Sequence, residues 1–170
     1  SQLSVEVGKT LGAHNATVTF AESCTGGGVA HAITSVPGSS AWFGAGFVTY
    51  ADQIKHSVLG VPNADLQTHG AVSEAVVQAM ALGALEKSGA DHAIAVSGIA
   101  GPGGGSEDKP VGTVWLAWGS REQLRTRCLC WPVERSLFQT MIAAAGLDMI
   151  RRSLLDIDEE PRYFRQRKAR

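Results

Sequence analysis

The apolar positions of this chain fall into blocks whose spacing switches between helical and extended. Leu3, Val7 and Leu11 recur at helical spacing and predict an opening helix over Val5 to His14. Thr17-Val18-Thr19-Phe20 predicts a short strand, and Val29-Ala30-His31-Ala32-Ile33 the first turns of a helix that Pro37-Gly38 stops near Val36. Gly44 to Tyr50 predicts a second strand, whose small residues imply close backbone packing or ligand access. Asp52 reads as the N-cap of a short helix to about Leu59, and the stretch from Val61 to Val72 as irregular, punctuated by Pro62, Asn63 and Gly70. Ser73 caps a long helix from Glu74 to about Lys87 carrying Val76, Val77, Met80 and Leu85.

Farther along, Ala93-Ile94-Ala95-Val96 is a continuous apolar run, the pattern of a strand buried on both faces. A long glycine-rich loop follows from Ile99 to Pro110, a length that inside a compact domain indicates function or disorder. Gly112 to Gly119 and Leu124 to Trp131 predict an antiparallel pair joined by the polar turn Ser120-Arg121-Glu122-Gln123. The last helix starts near Glu134, with Phe138, Met141, Ile142, Ala145, Met149 and Ile150 on one face. Strands alternating with helices early and a hairpin late predict a three-layer α/β/α sandwich with a mixed, mostly parallel sheet. No repeat or linker interrupts it, so residues 1–155 read as one domain, followed by a basic tail over 156–170.

Composition narrows the function classes. The 170 residues suffice for one proper core, and 44% apolar against 18% charged residues is a globular balance. A net charge of -1 offers a nucleic-acid partner no electrostatic support. Arg162, Arg165, Arg167, Lys168 and Arg170 cluster at the end and read as a solvated or frayed tail. No apolar run approaches the ~20 residues of a membrane span and Ser1 to Gly12 has no signal-peptide pattern, which leaves no membrane partner expected and a cytoplasmic location. Three cysteines, an odd count, fit a reducing compartment. Cys128 and Cys130 read as structural thiols and none of the five histidines has metal spacing, so no metal is expected. His69 could line a site from its loop but reads as structural or exposed.

The segment Phe20-Ala21-Glu22-Ser23-Cys24-Thr25-Gly26-Gly27-Gly28 carries the strongest chemical signal. It sets a serine hydroxyl in a strand-to-helix turn, where amides at the helix start can hold negative charge. Many non-catalytic turns share that outline, so context has to decide. Lys55, in the first turn of its helix, meets the positive end of the helix dipole, which with partial burial would lower its pKa towards that of a usable base; a solvated surface lysine is the alternative. Tyr50 could relay a proton, orient a substrate group or merely pack. The second glycine-rich turn, from Ser97 and Gly98 through Gly101, again ends a strand, where open α/β sheets bind ligands. It matches neither a Walker loop nor a dinucleotide fingerprint. Arg135 could bind a phosphate, and Cys24 is the rival nucleophile beside Ser23.

In order, Ala21-Glu22-Ser23-Cys24-Thr25-Gly26-Gly27, Gly44 to Tyr50 with Lys55, His69-Gly70-Ala71-Val72-Ser73, and Ser97 to Pro102 with Lys109-Pro110-Val111-Gly112 resemble the C-terminal domain of the competence/damage-inducible protein CinA, the nicotinamide-nucleotide amidase family. The resemblance runs from about residue 3 to 155. It implies a three-layer α/β/α sandwich and hydrolysis of nicotinamide mononucleotide to nicotinic acid mononucleotide and ammonia, in pyridine nucleotide recycling. It implies Ser23 rather than Cys24 as nucleophile, Lys55 as base acting directly or through Tyr50, and Ser97 as the hydroxyl opening the second loop. Arg135 matches the functional arginine of the last helix, and with the Ser97–Gly101 loop would hold the ribose phosphate, while amides around Thr25, Gly26 and Gly27 would hold the oxyanion. No cofactor is implied, and family analogy suggests a homodimer. Many members carry a further N-terminal domain; this chain reads as the stand-alone form. A non-catalytic pyridine-nucleotide-binding module and a serine hydrolase of another amide are the alternatives.

Overall fold

A computed structural model describes residues 1–169; Arg170 of the basic cluster lies outside the described residues. The chain runs α1 (Gln2–Ala13), β1 (Val18–Glu22), α2 (Gly28–Thr34), a 3-10 turn (Ser39–Ala41), β2 (Phe43–Val48), α3 (Asp52–Leu59), α4 (Asn63–His69), α5 (Glu74–Ser88), β3 (His92–Gly98), β4 (Thr113–Gly119), β5 (Leu124–Cys130), α6 (Arg135–Leu154) and α7 (Arg162–Gln166). α1 begins before the expected Val5 because the Ser1 hydroxyl caps it by accepting from the Ser4 amide. The stretch expected to be irregular contains α4, which Pro62 starts at its N-cap (φ -60°) and Gly70 stops.

The five strands form one sheet in the order β2-β1-β3-β4-β5. β1 pairs parallel with β2 and β3, and β4 runs antiparallel to both β3 and β5, so four of the five strands point the same way. From β1 the chain moves outward to β2 and then returns to the other side for β3. That reversal makes the carboxyl ends of β1 and β3 a topological switch point.

Alternation along the strands feeds two cores. Val18, Phe20, Ile94 and Val96 pack under α1, α2 and α6 with Val7, Leu11, Ile33, Phe138 and Ile142. Ala21, Ala93, Ala95 and Ala117 face α5 with Val76, Val77, Met80 and Ala84. The alanine-rich side lets α5 approach closely. At Gly83 a Cβ would lie 2.0 Å from the Leu59 carbonyl oxygen, so only glycine lets α5 press on the end of α3.

The C-terminal segment does not stand off as a frayed tail. Phe164 is 2% exposed, in the core with its ring edge-on to Trp118. The Cys130 amide donates to the Arg167 carbonyl, and Lys168 bridges Leu129 antiparallel, which covers the otherwise open β5 edge. Arg127 pairs with Glu160 and lies over the Phe164 ring, while Arg167 stacks on Trp131. The segment docks because Phe164, Tyr163 and the Arg167 guanidinium on Trp131 bury apolar surface, while Arg162, Arg165 and Lys168 stay exposed.

Candidate active site

Ser23 follows the last residue of β1, and the sheet pairing runs on past it. The Ser23 amide donates to the Val96 carbonyl at 3.1 Å and the Thr49 amide to the Glu22 carbonyl at 2.9 Å. Glu22 is in register with Val48 and Val96, so Thr49, Ser23 and Ser97 occupy the next rung, on neighbouring strands about 4.8 Å apart. Three hydroxyl side chains thus share one end and one face of the sheet, at the switch point. Ser23 is 8% exposed, and Thr49 and Ser97 1% each. The Thr49 hydroxyl has no hydrogen-bond partner among the described residues.

Lys55 comes to that rung from α3. Its N-cap is Ala51, not Asp52: the Ala51 carbonyl accepts the first helical bonds and Asp52 is the first helical residue, making no side-chain cap. Lys55 remains in the first turn, 1% exposed. Its Nζ donates to Ser23 Oγ at 3.0 Å, to the Thr49 carbonyl at 2.8 Å and to the Tyr50 carbonyl at 2.9 Å. Burial lowers its pKa, opposed in part by the nearby Asp52 carboxylate.

The three partners of Nζ are not equivalent. Carbonyl oxygens only accept, so Thr49 and Tyr50 each hold one N–H in either protonation state. A neutral amine keeps two N–H groups and one lone pair. The only partner able to donate to that lone pair is the Ser23 hydroxyl. Deprotonated Lys55 is thereby oriented to take the Ser23 proton.

Tyr50 meets Lys55 through its backbone carbonyl and not through its phenol. Its carbonyl binds Lys55, while its ring is 60% exposed and its hydroxyl accepts from Arg135 Nη2 at 3.0 Å. Arg135 Nη1 also donates to the Gly101 carbonyl at 2.8 Å, tying the second glycine-rich loop to the start of α6. Helix α6 tolerates Arg135 in its first turn because the Glu134 carboxylate caps the Ser136 and Leu137 amides. Gly98 is the last residue of β3, where a Cβ would meet the Thr113 carbonyl oxygen at 2.8 Å. Cys24 is buried, and burial pushes its thiol up to about 12, so it is not a thiolate at neutral pH.

The start of α2 corrects the sequence expectation. Its Val29 and Ala30 amides are not open to substrate charge: they donate to the Glu22 carboxylate at 2.9 and 3.0 Å. The Thr25 hydroxyl also donates to Glu22, at 2.5 Å. The Gly26 amide is committed to the Ser23 carbonyl and the Gly28 amide to the Thr25 carbonyl, both at 3.0 Å. Gln139 Nε2 takes the Cys24 carbonyl at 3.0 Å. The amides of Thr25 and Gly27 are not used in these bonds, and Gly27 at φ +101° turns the chain into the helix as only glycine does without strain.

Glu22 and Gln139 were therefore missed as residues of the turn. Glu22 carried a readable signal, a carboxylate on a fully buried strand directly before a glycine-rich helix start. Gln139 carried none, being one polar residue in a long helix. His69 ends α4, exposed, and its carbonyl accepts from Lys109 Nζ. Among the described residues no group of three or more His, Cys, Asp or Glu could hold a metal, and no helix is long and apolar enough to cross a membrane. Cavities of about 760 Å³, between α1, α2 and α6, and about 640 Å³, beneath residues 107–110 and 166–169, are not lined by Ser23 or Lys55.

Known proteins share this arrangement of elements. The CinA C-terminal domain family matches residues 1–154. Nicotinamide-nucleotide amidohydrolase PncC of Escherichia coli K12 is 52% identical over 150 residues, 88% of this chain and 91% of that protein. A CinA-like protein of Colwellia psychrerythraea is 54% identical over 154 residues, 91% of this chain; the chain spans only 36% of that protein's length. The crystal structure of competence damage-inducible protein A (ComA) from Klebsiella pneumoniae superposes with a TM-score of 0.88 at 41% identity, covering 91% of this chain and 96% of that one. With its parallel β2-β1-β3 core and matched length, the chain belongs to the CinA C-terminal domain family.

Proposed function

We propose that the chain is an amidohydrolase that converts nicotinamide mononucleotide to nicotinic acid mononucleotide and ammonia, with Ser23 as nucleophile and Lys55 as base. The observation that carries this reading is the buried Lys55 Nζ–Ser23 Oγ contact of 3.0 Å, in which only Ser23 can donate to the neutral amine. The PncC relatives, named for nicotinamide-nucleotide amidohydrolysis, support the substrate class. A serine paired with a lysine is a recurrent solution to acyl transfer.

Neutral Lys55 takes the Ser23 proton as Oγ attacks the carboxamide carbon. The tetrahedral oxyanion is held by the amides of Thr25 and Gly27, a stabilisation of about 3–4 kcal/mol per donor in comparable sites. Lys55, now protonated, returns the proton to the departing amine, and ammonia leaves. Water then attacks the acyl-enzyme, its proton passing to Lys55 and from there to Ser23 Oγ. Arg135, with the Ser97–Gly101 loop, holds the phosphate; Tyr50 orients Arg135 through its hydroxyl. Ammonia release from nicotinamide mononucleotide by wild type and Ser23→Ala tests the reading: turnover in the wild type alone supports it, and equal turnover in both defeats it.

A further inference from the structure

Glu22 lies beside the proposed nucleophile and has no part in the chemistry above, yet it is buried. It is 1% exposed. Strand alternation sends Ser23 to the α3–α5 side and Glu22 to the α2–α6 side, so the carboxylate does not reach the reacting atoms. It accepts three bonds instead, from the Thr25 hydroxyl and the Val29 and Ala30 amides. Together these clamp the residue two beyond Ser23 and the first turn of α2 to the residue just before Ser23.

The effect reaches Ser23 from both sides. The Glu22 carbonyl is held by the Thr49 amide, and the Thr49 carbonyl holds Lys55 Nζ. The Ser23, Cys24 and Thr25 carbonyls are each taken, by Gly26, Gln139 and Gly28 respectively. The backbone that aims Ser23 Oγ at Lys55 is thus held at each carbonyl from Glu22 to Thr25, and the Glu22 carboxylate anchors it to α2.

We infer that Glu22 is a positioning residue: it fixes the nucleophile turn against α2 so that Ser23 Oγ stays on Lys55. This rests on the Ser23 reading of the site. Glutamine is the informative replacement because its shape is conserved. Whichever way its amide is placed, an NH2 group faces a backbone N–H of Val29 or Ala30, so one bond is lost and two donors oppose each other.

The test measures how fast a small fluorophosphonate phosphonylates Ser23 in the intact protein, followed by intact mass, with steady-state turnover and thermal melting alongside. Wild type, Ser23→Ala, Glu22→Gln and Glu22→Asp are compared. The reagent carries no nucleotide, so it reads the aim of Ser23 and not substrate binding. Glu22→Gln is expected to label about 100-fold more slowly, the scale of a misplaced reacting group, and to lose kcat in parallel while KM moves less than about threefold. Should Glu22→Gln fail to fold, Glu22→Asp keeps the charge at α2 but cannot span the same three donors, and is expected to show the same slow labelling. Labelling at the wild-type rate per folded molecule, with or without a lower melting temperature, would reduce Glu22 to a structural carboxylate and overturn the inference alone. If the wild type itself is not labelled at Ser23, the nucleophile reading falls and takes this inference with it.

Discussion

Lys55 Nζ sits 3.0 Å from Ser23 Oγ although 32 residues separate them in the chain. Two features bring them together. β2 lies parallel beside β1, so the segment leaving β2 arrives at the same sheet end as Ser23. Gly83 then lets α5 press against Leu59, seating α3 so that its first turn overhangs that end. The resulting burial of an amine next to a hydroxyl costs stability and, by the proposed mechanism, supplies reactivity.

If Ser23 and Lys55 work as one unit, removing either should cost nearly as much as removing both. Ser23→Ala and Lys55→Met are each expected to lower kcat by about 10³-fold or more, with the double variant no worse by more than about tenfold. Steady-state ammonia release of the three variants checks this; multiplicative losses would show that the two groups act separately.

Cys24 should be dispensable. Its thiol is buried and pushed up to about 12, so it offers no thiolate at neutral pH. Cys24→Ala is expected to keep kcat within about threefold, since it removes one small buried sulfur and no reacting group. A loss on the scale of the Ser23 variant would point to the wrong nucleophile.

The pH dependence follows from Lys55. Burial lowers its pKa, and by the proposed mechanism the neutral amine is the working form, so kcat/KM should rise with pH through that depressed value and then level off. Stability changes in the same direction. Between the lowered folded pKa and about 10.4 in the unfolded chain, the unfolded state binds the extra proton. Folding is therefore penalised below the folded pKa, and the penalty is relieved as pH rises through that window. Urea unfolding at pH 7 and pH 9.5 should show wild type gaining stability relative to Lys55→Met; a constant difference would mean that Lys55 is not perturbed.

Arg135 and Tyr50 should separate binding from chemistry. Arg135→Ala removes donors to Gly101 and Tyr50, and by our reading the phosphate contact, so KM should rise about 10- to 100-fold, the range of a charged hydrogen bond. Tyr50→Phe leaves intact the carbonyl that holds Lys55 and should change kcat by less than about tenfold. A Tyr50→Phe loss matching that of Lys55→Met would restore the phenol as a proton relay.

The C-terminal segment should be part of the folded unit. Phe164 is 2% exposed against Trp118 and under Arg127, so Phe164→Ala is expected to cost about 3 kcal/mol of stability. Denaturant unfolding monitored by tryptophan fluorescence reads it; an unchanged midpoint would make the docking of α7 incidental.

Much of this was legible from periodicity and turn chemistry. The alternation of strand and helix, the switch to a hairpin after residue 110 and the serine at the β1–α2 turn are local patterns. The relation of Lys55 to Ser23 is not local, and dipole position only hinted at it. Glu22 was passed over because a strand residue before a glycine turn reads as scaffold, although a carboxylate on a fully buried strand signals donors waiting for it, here the Thr25 hydroxyl and two amides of α2. The tail misled for another reason. Its charge suggested solvation, whereas Tyr163 and Phe164 between the arginines supply the apolar surface that docks it, with the Tyr163 hydroxyl on Asp148 at 2.8 Å.

The most direct single measurement is ammonia release from nicotinamide mononucleotide by purified wild type, with folded Ser23→Ala and Lys55→Met beside it. Turnover in the wild type that disappears in both variants is the expected result. Turnover that survives in either folded variant would contradict a serine–lysine amidase.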